Sequence, residues 1–402
     1  MINPRQLKLN LLALFISTAI ILLLLEVVLR VLEPQVLVDE CTENDLISLE
    51  GNGFNSSRDF GWTTVLNHQR CILTDRGVHG MVQHNNKGLR MNYDIDFKKP
   101  KDKKRILLFG DSFLYGYGND QNDTISYYLQ QMLGPQWEVL NFGVSGYGLD
   151  NSYSRYMHEG RKYNGSVVVY FSYSNDPGNI LFTDYMGYSK PIFSLDEKGS
   201  LKITPNPNYN SRSLKQKETY KNSGFLERHS HLYVFIKKNL NVIGYHLSIA
   251  IKGPRYKTDP KKRLSNPLTP EDSSIWVYMK NYTNLTKRYM DIHFKVLDDF
   301  VEAAKADNET FIITNIPGLY LFNDNYSLSV YLGEFGLTAD DIDMNKFDDE
   351  YKSYSKSRNI TFISLLDDFK SGYKQYLPNH YTGHYNGKGN KKIADAVYRE
   401  LD

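Results

Sequence analysis

The stretch Arg105-Ile-Leu-Leu-Phe-Gly110-Asp111-Ser112-Phe113-Leu-Tyr-Gly116-Tyr-Gly118 decides the fold. Arg105–Phe109 follows a lysine-rich segment and is short, apolar and closed by glycine. Length and flanks predict a buried strand there. The glycine permits a tight turn, and a serine just past a buried strand is where a nucleophile is exposed.

Working outward, strand patterns alternate with helical ones. Trp137–Phe142 reads as a second strand, Ser166–Phe171 as a Val-rich and therefore central third, Thr310–Asn315 as a fourth and Ile360–Ile363 as a short fifth. Thr124–Leu133, Asp150–Tyr163, Ile275–Ala306, Met344–Ser357 and Lys391–Leu401 carry helical spacing. In Ile275–Ala306 an apolar stripe runs through Tyr278, Tyr282, Leu285, Tyr289, Ile292, Val296 and Phe300, the period of a core-facing helix. The alternation predicts a parallel sheet covered on both faces, with any site beyond the carboxyl ends of its strands.

Those ends carry chemistry. The spacing around Ser112 is not Gly-x-Ser-x-Gly, so it is not the elbow of an α/β-hydrolase. The second strand runs into Asn141-Phe-Gly143-Val-Ser-Gly146-Tyr-Gly148, where glycines let backbone N–H groups approach a substrate oxygen. The third runs into Ser174-Asn175-Asp176, and an Asn amide there is an oxyanion donor that does not titrate. After the last strand comes His380-Tyr381-Thr382-Gly383-His384-Tyr385-Asn386-Gly387. His380 and His384 have the i, i+4 spacing of some metal sites. The segment is a poor helix, however, and lacks the glutamate of His-Glu-x-x-His, so no metal is expected. Asp111 and Asp176 are read as hydrogen-bonding to loop backbone.

Four such pieces in this order resemble the SGNH (GDSL-like) hydrolase superfamily, in its membrane-anchored extracytoplasmic branch. The resemblance covers roughly Asn85 to Leu401. Its first block falls on Gly110-Asp111-Ser112, its second on Gly146, its third on Asn175, and its last on His384 with Asn386, Gly389 and Ala394. Upstream, Asn85-Asn-Lys-Gly88-Leu-Arg90 fits the same branch. The resemblance implies a flavodoxin-like three-layer α/β/α sandwich with a five-stranded parallel sheet in the order 2-1-3-4-5. It also implies ester hydrolysis or acyl transfer with no metal and no cofactor. Ser112 and His384 would be catalytic, with Ser112, Gly146 and Asn175 as the oxyanion hole. The family's acid, two or three residues before the histidine, is replaced by Thr382 and Tyr381. That departure leaves open a backbone carbonyl or a distant carboxylate such as Asp367 behind His384, or a non-catalytic envelope-binding or assembly protein that keeps the fold.

The N-terminus is a membrane signal. Leu11–Leu32 as a helix would be about 33 Å long, enough for a hydrocarbon core of roughly 30 Å. Arg5 and Lys8 precede it, and acidic Glu33, Asp39, Glu40 and Glu43 follow. The bias places residues 1–10 in the cytoplasm and the domain outside it. A cleaved signal peptide is the alternative, but its core is usually about 7–15 residues and ends in a small-x-small site, which is missing here. Residues 33–84 are read as an extracytoplasmic linker and 85–402 as the hydrolase domain, with an insertion at about 185–274. In an exported chain Cys41 and Cys71 either pair, worth about 3.5 kcal/mol on the loop-entropy estimate, or stay as two thiols.

Composition narrows the partners. The chain has 402 residues, 41% hydrophobic and 23% charged, which excludes a disordered or collagenous protein. A net charge of +2 makes no case for nucleic acid. Charge is local instead. Residues 202–263 hold 14 Lys and Arg against 3 Asp and Glu, around an apolar, helical Phe225–Ile251. This insertion either leans on anionic lipid or an acidic polymer, or presents an ordinary solvated face. The expected substrate class, by place and fold, is an acylated (acetylated) glycan of the envelope or another exported ester.

Overall fold

The computed structural model of the chain describes residues 4–32, 35, 46–48, 54–74, 77–185, 187–207, 225–237, 239–240, 274–318, 321–322, 328, 332, 337–370, 372–376 and 383–401. The chain forms two compact units. One comprises Met1–Leu49, Cys71–His79 and Glu218–Gly253, the other Glu50–Arg70, Gly80–Lys217 and Pro254–Asp402.

In the first unit, helix α1 (Pro4–Leu32) leaves its apolar side chains exposed along its length. Among the described residues it is the helix long and apolar enough to cross a membrane. Leu46–Ser48 pairs in parallel with Cys71–Leu73. Cys41 lies outside the described residues, and so does any bond from it to Cys71. The helix expected over Phe225–Ile251 is broken. Phe225–His229 is helical, and a new helix runs over 231–237. Ser230 makes the break, because its hydroxyl accepts the Tyr233 N–H at 3.0 Å and caps the second piece. Most of the basic segment, residues 208–224 and 241–263, lies outside the described residues.

The second unit is built on five parallel strands: β1 (Lys104–Gly110), β2 (Trp137–Asn141), β3 (Val167–Tyr173), β4 (Thr310–Ile316) and β5 (Thr361–Ser364). Their order is β2-β1-β3-β4-β5, the expected 2-1-3-4-5. Alternate strand residues serve opposite faces. Leu107, Phe109, Val168, Tyr170, Phe311 and Ile313 join one apolar core with α4 (Leu149–His158) and α5 (Asn284–Ala306). Ile106, Leu108, Val169, Phe171 and Ile312 join the other with α3 (Ile125–Leu133) and α7 (Gly387–Arg399). This period of two on a doubly covered sheet makes the three-layer sandwich. A further helix, α6 (Lys346–Arg358), packs beside β5.

Helix boundaries follow caps that hydrophobic periodicity overlooks. α5 starts at Asn284, not at residue 275, because the Thr283 hydroxyl accepts the Thr286 N–H at 3.0 Å. α7 starts at Gly387, not at residue 391, because Asn386 accepts from the Gly389 N–H at 3.1 Å. The insertion opens with β-structure: a hairpin of Asp184–Tyr185 with Tyr188–Ser189, then Ile192–Leu195 paired with Leu201–Thr204.

β1 lies against β3 with Gly110 opposite Phe171. A Cβ on Gly110 would meet the Phe171 carbonyl oxygen at 2.9 Å and its Cβ at 3.0 Å, both on a rigid strand. Gly110→Ala should therefore cost about 1–3 kcal/mol of stability, the usual penalty of overpacking. Thermal melting of the two chains checks this, and an unchanged Tm would mean β3 gives way without cost.

Candidate active site

Three adjacent strands end at one edge, and each end is shaped by its local sequence. After β1, Asp111 caps a single helical turn, α2 (Ser112–Tyr115), by accepting the Phe113 N–H at 2.8 Å. Gly116 closes that turn in the left-handed region, φ 78°. The turn holds Ser112 half-buried at the strand mouth. After β2, the loop Gly143–Gly148 crosses beside it, and the Val144 N–H donates to the Gly110 carbonyl at 3.2 Å. After β3, Asn175 precedes a short turn at Asp176–Asn179. A Cβ on Gly148 would meet Asn179 Cβ at 3.0 Å, so the second and third loops touch.

The fourth piece arrives from the far end of the chain. His384 Nε2 lies 2.7 Å from Ser112 Oγ, across 272 positions of sequence. The imidazole sits between two rings, with Phe113 at 4.5 Å and Tyr117 stacked at 4.7 Å between centroids. An imidazole held in this way can take the serine's proton and return it. The chain has the SGNH hydrolase fold. Strand order decides this, together with a Ser–His pair at the carboxyl edge of the first strand.

No family model matches the chain, and no curated protein matches it. Among solved structures, it is similar to a catalytic mutant of an acetylxylan esterase from Geobacillus stearothermophilus, 12% identical, covering 76% of this chain and 96% of that one with a TM-score of 0.38. It is likewise similar to a G-D-S-L family protein from Desulfitobacterium hafniense, 12% identical, covering 74% and 99% with a TM-score of 0.35. A GDSL-like lipase from Bacteroides thetaiotaomicron gives 10%, 75% and 90% with a TM-score of 0.34. Likenesses this distant carry no argument of their own.

Gly146 stands in the left-handed region, φ 82°, and a Cβ there would fall inside the ring of Tyr185. The Gly143–Gly148 loop is braced by Trp62, whose indole N–H donates to the Ser145 carbonyl at 3.0 Å and whose own carbonyl accepts the Tyr147 hydroxyl. Trp62 also stacks on Tyr185, 5.4 Å between centroids. It belongs to a hairpin of Phe54–Ser57 and Gly61–Thr64, inside the stretch expected to be linker. A tryptophan flanked by glycine and threonines is the signal that could have marked it.

The loop after α2 holds the histidine segment. The Asn119 amide donates to the Tyr385 carbonyl at 3.0 Å, one residue from His384. Arg90 fixes this loop in turn, donating to the Asn119 carbonyl at 2.8 Å and to Gln121 Oε1 at 2.9 Å. Its guanidinium also lies 4.9 Å over the Tyr115 ring. The Asn85–Arg90 motif is thus a brace behind the site. Asn85 Oδ1 accepts from the N–H groups of Lys87 and Leu89, both at 3.0 Å, and shapes the turn that aims Arg90. Asn119 was not singled out from sequence, since an Asn between two loops looks like any turn residue.

Tyr381, Thr382 and His380 lie outside the described residues. Asp367 is described. Its side chain is 91% exposed and pairs with Lys370 at 2.7 Å, the setting of a surface ion pair and not of a buried triad acid.

Two other acids lie behind the nucleophile. Burial pushes the Asp111 carboxyl up to about 7, against the pull of the Phe113 N–H. Burial, then the nearby Asp111 charge, pushes Asp176 well above the carboxylate range, although it accepts from Tyr170 and the Tyr173 N–H. Both bind backbone N–H groups, Asp111 at the start of α2 and Asp176 at the last residue of β3. A carboxyl whose folded pKa is raised contributes stability that is complete below its unfolded pKa of 3.8 and is lost as pH rises through about 7. Asp111→Asn keeps a capping oxygen and cannot ionise. Its Tm should therefore gain on wild type between pH 4 and pH 8. A constant difference across that range would place the Asp111 pKa back in the ordinary region.

Proposed function

We propose that the chain is a serine esterase or O-acyltransferase of the SGNH type, anchored by α1 with its site outside the cytoplasm. The 2.7 Å contact between His384 Nε2 and Ser112 Oγ carries this reading. Ser112 Oγ attacks the ester carbonyl carbon as its proton passes to His384 Nε2. The oxyanion is held by the N–H groups of Ser112 and Gly146 and by the Asn175 amide. Collapse expels the alcohol, which takes the proton from His384, and leaves an acyl-serine. Water then repeats the sequence and releases the acid; an acceptor hydroxyl in place of water gives transfer. The acyl group is small and the alcohol a glycan of the envelope or an exported polymer. Supporting this are a span with basic residues before and acidic residues after it, and the rings of Phe113 and Tyr117 that flank the imidazole.

Ser112→Ala should abolish turnover of a short-chain aryl ester and labelling by a fluorophosphonate, and His384→Ala should nearly do so. Asn175→Ala should lose about 10²–10³ in kcat with the fold intact. Wild-type turnover in Ser112→Ala would exclude this site. Absent labelling of the folded wild type would favour the non-catalytic reading.

Asn119 acts through the histidine segment and is a positioning residue. Asn119→Ala should lower kcat about ten- to a hundredfold while KM moves little, because the imidazole loses its alignment and not its affinity for substrate. Equal changes in kcat and KM would assign Asn119 to substrate binding instead.

A further inference from the structure

The first unit contains an arrangement that the esterase site does not use. Glu26 lies within the apolar α1, and its carboxylate is engaged on every side. Arg30 Nε donates to it at 2.8 Å, the Ser230 hydroxyl at 2.9 Å, the His231 N–H at 3.0 Å and the Leu232 N–H at 2.8 Å. Arg30 also reaches the His229 carbonyl at 2.8 Å, and the Gln35 N–H donates to His231 Nδ1 at 2.8 Å. Glu26 therefore binds the otherwise unsatisfied backbone donors where the helix at 231–237 begins, and Arg30 binds a carbonyl where Phe225–His229 ends.

Depth gives this its meaning. At about 1.5 Å of rise per residue, Glu26 lies about 9 Å inside the end of α1 at Leu32. Interfacial helices bury their apolar faces about 5–10 Å into the boundary between headgroups and acyl chains. Backbone is tolerated at that depth only where its polar groups are satisfied within the protein, and Glu26 and Arg30 do that here. The tethered segment presents apolar side chains outward: Phe225 is 74% exposed, Leu226 50%, Ile236 44% and Leu240 59%. Val234 is turned inward at 8%. Lys237, on the same helix, is exposed.

We propose that Phe225–His229 and the helix at 231–237 lie in the outer headgroup boundary of the bilayer that α1 spans, pinned to α1 by Glu26 and Arg30. The proposal rests on α1 being a membrane anchor. The occupant of the exposed face is lipid, because the segment that carries it is tied to the exposed, apolar α1 at the depth where acyl chains begin.

The full chain in phosphatidylcholine vesicles tests it. Phe225→Trp and Ile236→Trp are conservative changes at exposed positions, and their added fluorescence is read against the parent tryptophans. Lipids brominated high on the acyl chain should quench each added tryptophan about twofold or more, and aqueous iodide should not. Iodide quenching without bromolipid quenching, in protein retained by carbonate-washed membranes, would overturn the proposal and leave the anchor standing. Release of the protein by carbonate would sink the anchor reading, and this proposal with it. Adding Glu26→Ala should abolish bromolipid quenching at Ile236→Trp while membrane retention persists, whereas Glu26→Gln, which keeps an acceptor oxygen, should preserve it. Quenching unchanged by Glu26→Ala would remove Glu26 from its role.

Discussion

Close pairing of the first strand with the third is the constraint on which the second unit depends. Gly110 opposite Phe171 leaves no room for a side chain, so the strands meet at full depth up to their carboxyl ends. Ser112 and Asn175 consequently follow the carboxyl ends of neighbouring strands, and the Val144 bond to Gly110 brings the glycine loop of the second strand alongside. A site of this kind is a property of sheet registry. Each functional group stands a few residues beyond a strand whose position the two apolar cores already determine.

Registry alone does not deliver the histidine. His384 comes from a different part of the chain, and its approach is set by braces with no apparent chemistry. Arg90 holds Asn119, and Asn119 holds Tyr385. The Tyr385 hydroxyl donates to the Pro317 carbonyl at 2.7 Å, and Phe113 and Tyr117 flank the imidazole. A fully buried arginine is costly unless its donors find partners, and here Nε and one terminal nitrogen serve a loop that must not move. Trp62 has the same relation to the glycine loop. Precision in the site is supplied by polar and aromatic contacts over long sequence distances.

The first unit solves another problem. A carboxylate in an apolar helix is expensive unless it is surrounded by donors. Glu26 has them, and three come from a segment two hundred positions later in the sequence. An apolar helix with an acidic residue in its last turns thereby also holds a distant segment of the chain.

What the sequence by itself determined was local: five strands, the helices between them, and the identity of the four residue types at their ends. These were legible because periodicity and glycine placement act over a few residues. The strand order was reached through motif resemblance, and the sheet bears it out. Caps at Thr283, Ser230 and Asn386 moved helix starts, since one side-chain hydrogen bond outweighs an apolar period at a helix end. Only the tertiary structure decided that Ser112 and His384 meet, that Trp62 belongs to the site and not to a linker, and that Asp367 stays at the surface. It also decided that Asn119 holds the histidine segment and that Glu26 holds Ser230–Leu232. The reason is physical: apart from the exposure of Asp367, these contacts join residues tens to hundreds of positions apart, and their distance in space is set by how remote elements pack, which no local pattern encodes.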